Sequence, residues 1–225
     1  MNQPPRQNRY RAPFLDRREA GRFLAGEVEA LGLSEPVVVA LPRGGVPVAR
    51  EIAGRLNAPL EVFGVRKLAH PDQPEVAFGA IAEDGTRLIS PEAARVLGLL
   101  GGDVELVTEL EQAELRRRLD LYRDGRPAPD VRGRTVVVVD DGVATGLTDA
   151  AAIRALRRAG AGEIVLAVPV CSASALELLQ GDADTVVTLR IPTHSRGVGD
   201  SYLDFGQVSD QEVIDALAGP ARAAA

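Results

Sequence analysis

The chain has 225 residues, 45% hydrophobic and 26% charged, with 4% aromatics and no Trp. That length and balance suit one α/β core built from Val, Leu, Ile and Ala. A formal net charge of −6 offers no electrostatic footprint for nucleic acid. The single cysteine, Cys171, excludes an internal disulfide and argues against a cysteine-based metal centre.

Residues 1–13 are polar, with Pro4, Pro5, Arg6, Arg9, Tyr10 and Arg11. They lack the apolar stretch of a signal peptide, and no run elsewhere approaches the roughly 20 apolar residues that span a bilayer. A flexible arm, a cytoplasmic location and no membrane partner are expected, with one domain over residues 14–225. Asp16 with Glu19 resembles a capping box and opens a helix that ends at Gly32. Residues 36–41 form a continuous apolar run of the kind a parallel sheet buries on both faces. Pro42-Arg43-Gly44-Gly45 breaks it. A helix is predicted over 46–56 and a strand over 60–65, leading into Arg66 and Lys67.

Asp84-Gly85, between apolar segments 77–82 and 87–89, signals a hairpin. Helices are predicted over 91–97 and 103–122; in the second, Arg116, Arg117 and Arg118 read as a solvated face. A Pro/Gly/Arg loop covers 123–133. Strand, helix, strand, helix and strand then follow at 135–139, 148–159, 164–168, 173–179 and 185–189. Residues 190–206 are irregular, and Ser209 with Glu212 caps a last helix to 217. Strands alternating with helices predict a doubly wound, mostly parallel sheet with flanking helices. The segment 71–133 is an insertion, a hairpin and helical lid, and 190–206 a small C-terminal hood.

Ligands of open α/β sheets sit beyond the carboxyl ends of the strands. There, a buried strand delivers Asp140 and Asp141, followed by Gly142, Val143, Ala144, Thr145, Gly146, Leu147 and Thr148. Backbone N–H groups of such a loop and of the helix it opens make an anion site. Thr145 and Thr148 add hydroxyls, and Gly146 permits close approach. Carboxylates suit sugar hydroxyls and an N–H nest suits phosphate, so the pair suits a sugar phosphate. No Gly-Lys-Ser/Thr follows, which excludes a Walker loop.

This segment resembles the phosphoribosyl pyrophosphate signature of type I phosphoribosyltransferases, departing from it at Gly142, where the family usually has an apolar residue. Phe14 to Gly21, Leu41 to Ala49, Val65 to Leu68 and Tyr202 to Phe205 with Gln207 to Asp210 also resemble an uncharacterised bacterial group of such proteins. The resemblance implies that fold. It also implies Mg²⁺-dependent transfer of a phosphoribosyl group from phosphoribosyl pyrophosphate to a nitrogen acceptor, such as a nucleobase or related compound, with release of pyrophosphate. Arg43, the Gly44 and Gly45 amides and Lys67 would hold the diphosphate. Val143, Ala144, Thr145, Gly146, Leu147 and Thr148 would hold the 5-phosphate. Asp140 and Asp141 would orient the ribose and the Mg²⁺, directly or through water or ribose hydroxyls, and Tyr202 in the hood would contact the acceptor. Family members are often dimeric, so a homodimer is consistent with the resemblance. His70 and His194 read as surface residues. Glu83-Asp84-Gly85 belongs either to the lid or to the static structure. A phosphoribosyl pyrophosphate-binding regulator without transferase activity and a protein phosphorylated on Asp140 are the rival readings.

Overall fold

The computed structural model describes residues 13–193 and 197–218. The expected N-terminal arm therefore lies outside the described residues except for Pro13, as do His194 and part of the expected hood. Valine runs decide the centre of the molecule. β1 (Val37–Ala40), β6 (Thr135–Val139) and β7 (Glu163–Val170) carry apolar side chains toward both faces, so both faces must be covered. Five parallel strands result, in the order β2 (Leu60–Val62), β1, β6, β7, β8 (Thr185–Arg190). Val37 stands beside Val136, and Val136 beside Ile164.

The alternation of a strand sends Val37, Val39, Val136 and Val138 to one face, with Ile164 and Leu166, under α5 (Leu147–Arg158) and α6 (Ala173–Leu179). Val38, Ala40, Val137 and Val139 go to the other face, under α1 (Arg17–Glu29) and α2 (Gly45–Leu56). Complete burial of each such valine contributes about 1.5–3 kcal/mol. Asp16 caps α1 as its sequence suggests, accepting from the Glu19 N–H at 2.7 Å while the Glu19 carboxylate accepts from the Leu15 N–H at 2.6 Å.

The single strand expected over 60–65 is two strands. β2 ends at Val62, and after Phe63 and Gly64 the chain leaves the parallel sheet. β3 (Val65–His70) pairs antiparallel with β4 (Gln73–Ala82), which pairs with β5 (Arg87–Ile89) across the Asp84-Gly85 turn. β4 begins earlier than the expected strand start at residue 77 because β3 supplies it with a partner. Lys67 consequently lies within β3 rather than in a loop. Through Ala80 and Ala82 this second sheet rests on the α5 face of the parallel sheet. Leu68, Phe78 and Ile81 form a separate cluster with Ala94 of α3 (Pro91–Val96) and Val107 of α4 (Gly101–Arg123).

The β4–β5 turn is tied into the static structure at Glu83. That carboxylate is buried, accepting from Arg123 at 2.8 Å and from the Gly64 N–H at 2.5 Å. α7 (Asp210–Ala218) starts where Ser209 and Glu212 exchange hydrogen bonds. Among the described residues no helix is long and apolar enough to cross a membrane.

Candidate functional site

β1 and β6 are neighbours, so the two loops leaving their carboxyl ends must meet. The Leu41 N–H donates to the Val139 carbonyl at 2.9 Å, which carries the β1 loop one residue along β6. The next residues pack so closely that only glycine fits. A Cβ on Gly45 would stand 2.4 Å from the Val139 carbonyl oxygen, and one on Gly44 would stand 2.0 Å from Asp141 Oδ2. Gly45 thus acts by its small size, because its N–H already donates to the Leu41 carbonyl at 3.1 Å. The N–H of Gly44 and the side chain of Arg43 are the other polar donors on this loop. The Pro42–Arg43 peptide bond is cis. Arg43 points toward α7, its NH1 3.6 Å from Asp210 Oδ1, the same oxygen that accepts from the Tyr122 hydroxyl at 2.5 Å.

Beyond β6, the Asp141 N–H donates to Asp140 Oδ1 at 2.8 Å. The Val143 N–H donates to the Val170 carbonyl and the Ser172 N–H to the Val143 carbonyl, so Val143 is buried and bound to the end of β7. Both backbone groups of Val143 are engaged within the protein, and Val143 anchors the loop. Ala144 and Thr145 are exposed, and Gly146 turns the chain into α5 with φ of 81°, a conformation that favours glycine. The first N–H groups of α5, from Leu147 and Thr148 onward, are those a helix start leaves without intrahelical acceptors. Ala144, Thr145, Gly146, Leu147 and Thr148 make up the loop and the first turn that follow Val143. Gly142 also has a structural reason. A Cβ there would stand 2.3 Å from Val198 Cγ1, so glycine lets the 3-10 turn Val198–Ser201 close on the loop.

Burial raises the pKa of Asp140 well above the usual carboxylate range, and the neighbouring Asp141 and Asp149 push it further. Asp141 is also raised by burial, against the opposing pull of Arg17. Asp149, in the first turn of α5, is 3% exposed with Oδ1 unpartnered, and burial pushes it up to about 7. Burial, with Asp149 beside it, pushes the Cys171 thiol up to about 12.

Three residues of this region carry no assigned role in the sequence reading. Arg17 donates Nε to Asp141 Oδ2 at 2.7 Å, Asp210 holds Arg43, and Asp149 lies in the first turn of α5. Arg17 and Asp210 fall inside the resembling segments, the only signal that points to them. Tyr202 is 6% exposed. Its hydroxyl donates to the Asp141 carbonyl at 2.5 Å and its ring lies between Phe14 and Phe205, at centroid distances of 5.7 and 4.9 Å. That placement orients Asp141 and leaves little of Tyr202 for an acceptor. Lys67 is exposed on the second sheet. His70 accepts from the Asp72 N–H at 3.1 Å.

Adjacent carboxylates and a helix start thus stand together at the carboxyl edge of a parallel sheet, with a tight glycine loop beside them. A family model for the phosphoribosyl transferase domain matches residues 15–205, and the chain belongs to that family. Two Mycobacterium tuberculosis proteins, from strains CDC 1551 and H37Rv and provisionally named phosphoribosyl transferases, are 45% identical to it over 201 residues. The match covers 89% of this chain and 45% of each relative, so the chain spans less than half the length of these curated relatives. The crystal structure of TT1426 from Thermus thermophilus is 44% identical, covers 91% of this chain and 97% of that one, and superposes with a TM-score of 0.74.

Proposed function

We propose that the protein transfers the phosphoribosyl group of phosphoribosyl pyrophosphate to a nitrogen nucleophile, releasing pyrophosphate. The observation that carries this reading is the contact of Gly44 with Asp141. It joins a loop suited to the leaving diphosphate to carboxylates suited to the ribose, with the nest for the 5-phosphate on the same strand end. In the reaction the bond from ribose C1 to the diphosphate oxygen breaks as the acceptor nitrogen bonds to C1, and the nitrogen's proton passes to solvent. Arg43, the Gly44 N–H and Lys67 stabilise charge growing on the leaving oxygens. The nest and Asp140 and Asp141 fix the ribose in line.

Two adjacent, partly buried carboxylates, one of them paired with Arg17, fit a divalent cation. No described group of three or more His, Cys, Asp or Glu cages a metal by itself. Asp140 and Asp141, together with substrate oxygens and water, would hold Mg²⁺, as Mg²⁺ sites on phosphorylated substrates commonly do. Bound there, Mg²⁺ supplies a Lewis acid for the diphosphate. A nucleobase or related small molecule is the proposed acceptor, and the cytoplasm the proposed location.

Ligand binding to the native state tests the reading. Phosphoribosyl pyrophosphate with Mg²⁺ at about a hundredfold over its Kd adds about 2.7 kcal/mol, a rise in Tm on the order of 5–10 °C for a chain of this size. Ribose 5-phosphate is expected to give less, and an unchanged Tm at millimolar ligand would sink the proposal. Within it, Asp141→Asn is expected to weaken binding by about 1–3 kcal/mol, the cost of a lost charge-assisted hydrogen bond. Lys67→Ala is expected to weaken binding slightly and cut turnover on the order of 10²-fold. Calorimetry paired with steady-state kinetics separates the two effects.

A regulator that binds phosphoribosyl pyrophosphate without transfer is the second reading. It draws on Arg43, which is turned to Asp210. Tight binding with no pyrophosphate released to a panel of bases, amines and ammonia would favour it, and Lys67→Ala would then change affinity alone.

A further inference from the structure

Asp141 is held at three polar atoms. Its N–H donates to Asp140, its carbonyl accepts from Tyr202, and its Oδ2 accepts from Arg17 Nε. Oδ2 is also the oxygen pressed toward Gly44. Among the described residues no other side chain donates to the carboxylate, so Oδ1 carries no side-chain donor.

Arg17 is equally committed. Its NH1 donates to the Gly206 carbonyl at 2.7 Å, and its guanidinium lies 3.8 Å from the centroid of the Phe205 ring, which stacks in turn on Tyr202. The ion pair is largely buried, the two side chains being 12% and 14% exposed. On its outer side Arg17 borders a cavity of about 390 Å³ that Arg18, Arg50, Asp204 and Gly206 also line. Residues 203 and 204 are tied to the chain ahead of α1 by the Leu203 and Asp204 N–H groups donating to the Phe14 and Leu15 carbonyls, and Arg17 adds the hold on Phe205 and Gly206.

We propose that Arg17 is a positioning residue for phosphoribosyl pyrophosphate: it commits Asp141 Oδ2, presents Oδ1 to the ribose hydroxyls, and makes residues 202–206 one unit with the ribose site. The proposal rests on the functional reading above. It requires the planar fork of arginine, because Nε and NH1 serve two acceptors at once. Lysine offers a single charged nitrogen and cannot reproduce both contacts in one geometry.

The test uses the full chain with Arg17→Lys, which keeps the charge, and Arg17→Ala. Two readouts apply: amide hydrogen exchange over residues 202–208 without ligand, and calorimetric affinity for phosphoribosyl pyrophosphate with Mg²⁺. Both variants are expected to exchange on the order of 10-fold faster over 202–208. Both should bind on the order of 10- to 100-fold more weakly, the loss of one buried charge-assisted hydrogen bond. Ethylguanidinium should restore part of the affinity to Arg17→Ala, which a merely structural role would not do. Arg17→Lys carries the test alone if Arg17→Ala does not fold. Wild-type affinity in Arg17→Lys, or unchanged exchange over 202–208, overturns the proposal. If the unmodified protein itself fails to bind phosphoribosyl pyrophosphate, the functional reading falls instead, and the ligand-free exchange still decides whether Arg17 fastens the 202–206 segment.

Discussion

Gly44→Ala is expected to abolish ligand binding while leaving the fold intact. Gly44 has φ of −60° and ψ of −36°, which alanine adopts freely, so the backbone is not the obstacle. The obstacle is Asp141 Oδ2, 2.0 Å from the new methyl group. The carboxylate must swing away, and Arg17 loses its acceptor. A displacement of about 1 Å in a positioned group can cost on the order of 10²-fold, so affinity for phosphoribosyl pyrophosphate should fall by at least that factor. Circular dichroism and Tm should stay near wild type, because the clash lies at the strand ends and not in the core. A Gly44→Ala protein with wild-type affinity would show that the two loops do not share one ligand.

Asp149→Asn is expected to stabilise the protein at neutral and higher pH. Asp149 has a carboxyl oxygen with no partner, and burial raises its pKa from 3.8 to about 7. The folded state therefore holds a proton that the unfolded state releases near pH 4. Below that pH both states are protonated and the group costs nothing. As pH climbs from about 4 to 7, folding loses stability, and above 7 the full penalty is present. Each tenfold change in proton affinity between the two states is equivalent to about 1.4 kcal/mol, so that penalty reaches about 4 kcal/mol. Denaturant titrations of both proteins at pH 4 and pH 8 should show the variant's advantage growing by up to that amount. A difference that stays constant with pH would mean that Asp149 does not titrate between these limits.

The parts of this fold legible in the sequence are those that local chemistry decides. Continuous valine runs are buried on both faces wherever they stand, and Asp16 and Ser209 cap helices through partners three residues away. The Asp140–Thr148 loop carries its chemistry in one stretch. Residues 60–65 read as one strand because the departure of β3 depends on pairing with β4, and nothing within those six residues announces it. Glu83 and Tyr202 are ambiguous in the sequence for a related reason. An acidic turn tip reads equally as lid or as static structure until Arg123 is seen beside it, and a tyrosine in an irregular tail reads as an acceptor contact until Asp141 is. Val143 and Gly45 look like donors because any loop amide does, and only the acceptors Val170 and Leu41 reveal that their N–H groups are engaged. Apart from its place in a resembling segment, Arg17 gives no sign of being a site residue, because its partner, Asp141, lies in a loop far along the chain.

That separation has a consequence for how the protein is made. The site forms between β1 and β6, where Val37 pairs with Val136 across a long intervening segment. Loop closure on that scale is entropically costly, and such topologies fold slowly. A chain emerging from the ribosome can build α1, β1 and α2 early, yet it has no carboxylates to offer a ligand until β6 and the loop beyond it have emerged. Nascent fragments that lack β6 should therefore not sequester phosphoribosyl pyrophosphate, and acquisition of ligand binding during refolding reports docking of β6 beside β1.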